Sequence, residues 1–535
     1  MTVTKAYDDF ARANLPPRAL WPEFDFSHPA YQYPEQFNCV TRFLDERIAA
    51  GDGGRIAFRS PFGDITFQQL LDKTSQLAHV LVDDLGLIPG NRVLLRSANN
   101  IMMVVSYMAV IRAGGIAVGT MPLLRARELA VILDKAEISH ALCDRRLETE
   151  LVAAREQAAS VREVAFFNAE SGDDLERAMA EKPVTFEPFP SARDDVCLIA
   201  FTSGTTGAPK GTMHFHRDVL AICDGFSRQN LKPAPDDIFC GSPPLAFTFG
   251  LGGMALFSMD AGASTLLLET ATPAALLEAI QERRCTICFT APTAYRAMLG
   301  MLDQYDISSL KKGVSAGEHL PKATWEAFRE ATGIELIDGL GSTELLHIFI
   351  CTPNEGAKAG ATGTAVAGYA AKIVDDDGND VAPGTVGRLA VRGPTGCRYL
   401  ADERQSVYVR NGWNLTGDAY LMDEDGFFWY QARTDDMIIS AGYNISGPEI
   451  ENALLGHDAV AECAVVGKPD EERGQIVKAF VVLKDGFAAD DAQVKALKDY
   501  VKQTIAPYKY PREIAFVDTL PKTETGKLQR FKLRE

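Results

Sequence analysis

In Leu198-Ile-Ala-Phe-Thr-Ser-Gly-Thr-Thr-Gly-Ala-Pro-Lys-Gly211 an apolar run breaks into small hydroxyl residues and glycines. The apolar part predicts a buried strand. Thr202, Ser203, Gly204, Thr205, Thr206 and Gly207 follow without interruption, and such a loop wraps phosphate with backbone N–H and hydroxyl donors while Lys210 adds a mobile positive charge. The spacing is not that of a Walker A loop. Counted from Gly204, that motif needs glycine at 209 and a hydroxyl residue at 211, where the chain has Pro209 and Gly211.

Outward from this loop, helical and strand patterns alternate. Upstream, Phe67-Gln-Gln-Leu-Leu71 and Ser75-Gln-Leu-Ala-His-Val-Leu81 fit an apolar helix face, and Asn91-Arg-Val-Leu-Leu-Arg96 and Gly115-Ile-Ala-Val-Gly119 fit short strands. Downstream, Ala274-Ala-Leu-Leu-Glu-Ala-Ile280 reads as helix and Thr286-Ile-Cys-Phe289 as strand. This α/β alternation predicts parallel-rich sheets covered by helices. After about residue 360, Ala371-Lys-Ile-Val374 and Gly387-Arg-Leu-Ala-Val-Arg392 predict a β-rich subdomain. A small α+β unit follows, with strands at Glu462-Cys-Ala-Val-Val466 and Val477-Lys-Ala-Phe-Val-Val-Leu483 and a helix from Asp491 to about Ile505, closed by Pro507. The expected division is 1–434 for a large N-terminal domain and 435–535 for a small mobile C-terminal one.

The 535 residues carry 72 Asp and Glu against 54 Lys and Arg, a net charge of −18. That acidity disfavours nucleic acid as a partner, because neutralising phosphates needs a basic face. The first ten residues hold two acids and no apolar core, so no secretory signal is expected. The charge-free stretch from Ile238 to Met259 contains Pro243, Pro244 and several glycines, which predicts a buried loop and helix start rather than a membrane span. A cytoplasmic location and reduced cysteines are therefore expected, with Cys285 and Cys288 inside a buried strand. His214-Phe-His216 has a spacing that would present two imidazoles on one strand face, for packing or positioning rather than for metal.

Thr202-Ser-Gly-Thr-Thr-Gly-Ala-Pro-Lys-Gly211 resembles the phosphate loop of the adenylate-forming superfamily of acyl- and aryl-CoA ligases. Four more segments agree in the family's order: Asp338-Gly-Leu-Gly-Ser-Thr-Glu344, Thr416-Gly-Asp418, Arg433-Thr-Asp-Asp436, and Pro521-Lys-Thr-Glu-Thr-Gly-Lys-Leu-Gln-Arg530. The resemblance implies catalytic roles for Lys527, Thr343 and Glu344. Lys527 would bridge a carboxylate and the α-phosphate of ATP, two anions that otherwise repel. Thr343 would donate to the α-phosphate, and Glu344 would hold Mg²⁺, a hard cation that prefers carboxylate oxygen.

The resemblance further places the adenine and ribose against Ala316, Gly317, Glu318, Asp338, Gly339, Leu340, Asp418 and Arg433. Leu340 stands where the family frequently has an aromatic residue, so packing on the base would be aliphatic. Arg388 stands in place of a frequent glutamate and receives no role. Asp435 matches the hinge, about which the small domain would rotate to present Gly442 and Tyr443 to the thiol.

The acid pocket is expected between Phe247 and His347, with Thr248, Phe249 and Gly341. Pro243-Pro-Leu-Ala-Phe-Thr-Phe-Gly-Leu-Gly252 looks like the benzoate-CoA ligase branch, and more like its 2-aminobenzoate members. A wall at Phe249 suits an aromatic ring, and Thr248 offers a hydroxyl to an ortho substituent. His347 reads either as facing the acid or as a core histidine. The implied partners are an aromatic carboxylic acid, ATP, Mg²⁺ and CoA, with no nucleic acid or membrane and with a homodimer left open. Benzoate as the acid, a carrier protein in place of CoA, and a non-catalytic nucleotide-binding relative are the alternatives.

Overall fold

Four sheets organise the chain in a computed structural model that describes residues 7–158, 160–168, 175–202, 209–433, 436–440, 443–470, 473–505, 509–522 and 528–534. The first sheet runs Glu163–Phe167, His140–Asp144, Arg92–Arg96, Ile116–Thr120, Val196–Thr202 and Lys210–Phe215. Its pairs are parallel except the last. The three strands from His140 to Thr120 in that order are buried at every position. Uniform burial is what a parallel sheet with helices on its faces requires. One covering helix, Ile101–Arg112, is apolar nearly all round and is buried accordingly. Another, Phe67–His79, starts at a capping box in which Thr66 and Gln69 satisfy each other's backbone N–H.

The second sheet has nine strands. Parallel strands Ile337–Gly341, Lys312–Ala316, Ile287–Thr290, Ile238–Gly241, Ser264–Leu266 and Ile56–Arg59 form its middle, with antiparallel strands at both edges. The third is an antiparallel sheet built on Ala370–Val374, Gly387–Arg392, Trp413–Met422 and Phe428–Arg433. The fourth pairs Val460–Asp470 with Gly474–Leu483 and carries its own apolar core beneath helices Gly447–Leu455 and Asp491–Thr504. The mixed α/β architecture and the β-rich segment after residue 360 agree with the sequence reading.

The stretch from Ile238 to Met259 is a strand followed by a loop and helical turns from Thr248 to Ala261. Among the described residues no helix is long and apolar enough to cross a membrane. All ten cysteines are free and nine are buried; Cys288 lies in the strand Ile287–Thr290 as expected, whereas Cys285, also buried, precedes it in the connection after the helix Pro273–Arg283. One expectation needs correcting. The strand Lys210–Phe215 ends before His216, which opens the helix His216–Ile222, so His214 and His216 do not share a strand face. His216 Nδ1 instead accepts from the backbone N–H of Cys39 at 3.2 Å, with the Cys39 thiol also at 3.2 Å.

Candidate active site

Thr202 pairs with Lys210 across the antiparallel strand end, so these two strands bracket the glycine-rich loop. Ser203, Gly204, Thr205, Thr206 and Gly207 themselves lie outside the described residues. Lys210 donates from Nζ to the Tyr399 hydroxyl at 3.0 Å, and that hydroxyl donates to Glu344 Oε1 at 2.5 Å. Lys210 and Glu344 themselves stand 3.7 Å apart. A lysine from the first sheet thus meets a carboxylate from the loop after Ile337–Gly341, in the second.

That loop is folded tightly. Leu345 N–H donates to Ser342 Oγ at 3.3 Å, and Leu346 N–H to the Thr343 carbonyl at 3.2 Å. Leu346 has a φ of 72°, the left-handed region that a branched side chain adopts only under constraint. The inversion reverses the chain between Glu344 and His347, so that three residues apart they serve different surroundings.

Behind the lysine, the Arg398 guanidinium and the Asp218 carboxylate form a fully buried ion pair. Arg398 also donates from Nε to the Met213 carbonyl at 3.2 Å and lies 4.0 Å from the centre of the Phe215 ring. His214, equally buried, lies against the Thr343 backbone. Burial pushes its imidazole down to about 3, the Arg398 charge adds to this, and the Thr343 contact opposes it.

Asp338 sits in the strand Ile337–Gly341 with Gly339, Leu340 and Gly341. Its carboxyl is pushed well above the usual range by burial, against a backbone hydrogen bond from Gly339. The neighbouring strand Lys312–Ala316 ends at Ala316 beside Gly339, and Gly317 and Glu318 continue from it. Arg433 Nη1 donates to Asp418 Oδ1 at 2.9 Å and to the Thr416 carbonyl at 3.2 Å. Gly417 makes room for this. Its φ is 79°, and a Cβ there would stand 2.8 Å from Arg433 Nη2. Burial raises the Asp418 pKa, Arg433 opposes that, and the charge of Glu344 adds to it, which places the two carboxylates in one electrostatic neighbourhood.

His347 occupies an aromatic cage. Its ring is stacked on Phe226 at 5.7 Å, meets Phe257 edge-on at 4.6 Å, and lies 5.7 Å from Phe249. Nε2 is 3.3 Å from the Phe249 carbonyl. Gly252 lies so close that a Cβ would stand 2.4 Å from His347 Cδ2. Phe247 caps the turn that begins with Thr248, which is buried, while Phe249 is half-buried beside the cage. The sequence left His347 either facing the acid or in the core, and the structure makes it a cage histidine at the end of the loop that carries Glu344.

Burial depresses the His347 pKa to about 3. A histidine of ordinary pKa in the unfolded chain therefore takes up a proton between about pH 6.5 and 3 that the folded chain refuses, and stability falls as pH drops through that window. Between pH 7 and pH 5 the wild type should lose about 2 kcal/mol more than His347→Phe. Urea titrations at the two pH values measure this, and equal losses in the two proteins would exclude it.

Lys527, Asp435 and Gly442 lie outside the described residues, and of Tyr443 only the backbone, in the strand Tyr443–Ile445, is described. Sequence reasoning missed Tyr399, the Arg398–Asp218 pair, the inverted Leu346, and Phe226 and Phe257 of the cage. The short run Arg398-Tyr399 after Gly396 carried no spacing that tied it to Glu344.

The profile of the AMP-binding enzyme family matches residues 45–399, and that of the AMP-binding enzyme C-terminal domain matches 449–527. The chain is 33% identical to a benzoate–CoA ligase of Thauera aromatica over 95% of its own length and 97% of the relative's. Among solved structures, an anthranilate CoA ligase in complex with anthranoyl-AMP superposes with a TM-score of 0.89 at 34% identity, covering 94% of this chain and 98% of that one. A benzoate CoA ligase from Burkholderia xenovorans LB400 superposes with a TM-score of 0.85 at 31% identity, over 93% of this chain and 100% of that one.

Proposed function

Because the chain belongs to the AMP-binding enzyme family, in its benzoate–CoA ligase branch, we propose that it is an AMP-forming acid–thiol ligase that joins a benzoate-type acid, 2-aminobenzoate first, to CoA. One observation carries the reading. A single loop presents Glu344 to Lys210 and Tyr399 at one end and His347 to an aromatic cage at the other. Glu344 and His347 stand three residues apart on one loop, which supports an anion site and an aryl site side by side, as joining an aryl carboxylate to a phosphate requires.

In the first half-reaction a carboxylate oxygen of the acid attacks the α-phosphorus of ATP, and pyrophosphate leaves. The loop from Thr202 to Gly207 and Lys210 hold the β- and γ-phosphates. Thr343 donates to the α-phosphate, Lys527 bridges the two reacting anions, and Asp418 with Arg433 holds the ribose. Glu344 is a buried carboxylate beside the lysine of the phosphate loop and supplies the hard oxygen that Mg²⁺ prefers. When bound, the ion screens the charge of the leaving pyrophosphate. In the second half-reaction the small domain turns about Asp435 and withdraws Lys527. The CoA sulfur then attacks the acyl carbon, the thiol loses its proton, and AMP leaves.

The test is pyrophosphate release with ATP and Mg²⁺ over a panel of benzoates, with and without CoA, and identification of the products by mass spectrometry. A CoA thioester formed fastest from 2-aminobenzoate supports the whole reading. Benzoate leading the panel moves the acid. An aryl-AMP that accumulates despite CoA moves the acceptor to a carrier protein. Thr248→Ala should reduce the kcat/KM ratio of 2-aminobenzoate to benzoate about tenfold, the worth of one hydrogen bond. An unchanged ratio would remove Thr248 from the choice of acid.

A further inference from the structure

We infer that Tyr399 is a positioning residue that keeps Lys210 and Glu344 apart, so that the lysine stays available to phosphate and the carboxylate to Mg²⁺. The inference rests on the proposed role of Glu344 as the metal-holding carboxylate.

The direction of each hydrogen bond follows from the groups involved. The Lys210 ammonium has donors only, so in the 3.0 Å contact the Tyr399 oxygen accepts. The hydroxyl's one proton is then committed to Glu344 Oε1, at 2.5 Å. Lys210 Nζ remains 3.7 Å from that carboxylate oxygen, beyond an ordinary hydrogen bond, and 4.9 Å from the centre of the Tyr399 ring. Without the hydroxyl nothing separates the two charges, and in a buried setting they would close into a direct pair. Such a pair would take one oxygen from the metal and the lysine from the phosphates.

The tyrosine is itself held on every side. Its side chain is fully buried. Its backbone N–H donates to Gln405 Oε1 at 2.9 Å, and the Leu400 N–H next to it donates to the Gly211 carbonyl at 2.8 Å. On the other side the Met213 N–H donates to the Arg398 carbonyl at 2.8 Å. The segment around Tyr399 is thus tied to the strand that begins with Lys210. Tyr408 crosses the Tyr399 ring edge-on at 5.8 Å, and its own hydroxyl is 3.3 Å from Ser342 Oγ. This neighbouring tyrosine supplies a control of the same chemistry, one that reaches a different partner.

Calorimetric binding of α,β-methylene-ATP, with Mg²⁺ and with EDTA, separates metal-dependent from metal-independent affinity without any turnover. Tyr399→Phe should cut the tightening by Mg²⁺ about tenfold, the usual effect of removing a hydrogen-bond partner of a metal ligand. Tyr408→Phe should keep the wild-type tightening, and Glu344→Gln should lose it. Gln405→Met, which frees the Tyr399 backbone without touching Glu344, should lose several-fold and serves if Tyr399→Phe does not fold. Wild-type tightening in Tyr399→Phe, beside its loss in Glu344→Gln, would overturn the role of Tyr399 alone. Wild-type tightening in Glu344→Gln would overturn the metal assignment, and this inference with it.

Discussion

Replacing Lys527 with alanine is expected to slow formation of the aryl-adenylate by about 10²- to 10³-fold, the usual effect of removing one donor aimed at developing charge. The same variant should make the thioester from supplied aryl-AMP and CoA at close to the wild-type rate. The asymmetry is the informative part. Only the first half-reaction brings two anions together, so only that half needs a cation between them. The described residues on either side of Lys527 are firmly held. Lys522 and Leu528 bridge antiparallel, Lys522 pairs with Glu462 at 2.7 Å, and Arg530 pairs with Glu451 at 2.5 Å. Single-turnover measurements of each half-reaction decide the matter. Equal losses in both halves would mean that Lys527 supports the fold or both chemistries, and no loss in the first would remove it from catalysis.

The second large effect concerns stability. Asp218→Ala is expected to cost about 3–5 kcal/mol, because it leaves the Arg398 guanidinium buried and uncompensated. Removing the charge as well, in Asp218→Ala with Arg398→Met, should recover much of that loss, since a methionine can pack against Phe215 and Phe24, over whose rings the guanidinium now lies at 4.0 and 4.9 Å. The urea midpoint of the N-terminal transition measures both. A loss below about 1 kcal/mol in the single variant would show that water reaches the arginine.

Much of this molecule was legible before its structure was known. The strands that the sequence reading placed at 91–96, 115–119 and 286–289 fall within a residue of Arg92–Arg96, Ile116–Thr120 and Ile287–Thr290, because uniformly buried strands need runs of apolar residues and such runs are visible. The helix Phe67–His79 was visible through its apolar face. Lys210, Glu344, Asp418 and Arg433 were visible because each sits in a short segment of recognisable composition. Tyr399 was not. Its partners lie 55 and 189 positions away, and no local pattern encodes such a contact. The His214-Phe-His216 alternation misled for a related reason. A period of two implies a shared face only while the strand continues, and Phe215 is its last residue. The aromatic cage was half visible, since Phe249 stands in a segment that looked like a pocket wall whereas Phe226 and Phe257 come from helices packed behind it.

The left-handed peptide at Leu346 bears on how the acid range of this protein could be redesigned. Glu344 and His347 hang on one taut reverse turn, so any residue exchanged at 345 to 347 pulls on the carboxylate beside Tyr399 and Lys210 as well as on the aromatic cage. Selecting new substrates there trades turnover against breadth. Thr248 opens a short helix after Phe247 and can be varied separately, whereas Phe249 touches His347 through both its ring and its carbonyl. On the proposed reading, a library that leaves 345–347 and Phe249 untouched and varies Thr248 would sample ring chemistry while the Lys210–Tyr399–Glu344 contacts stay as they are.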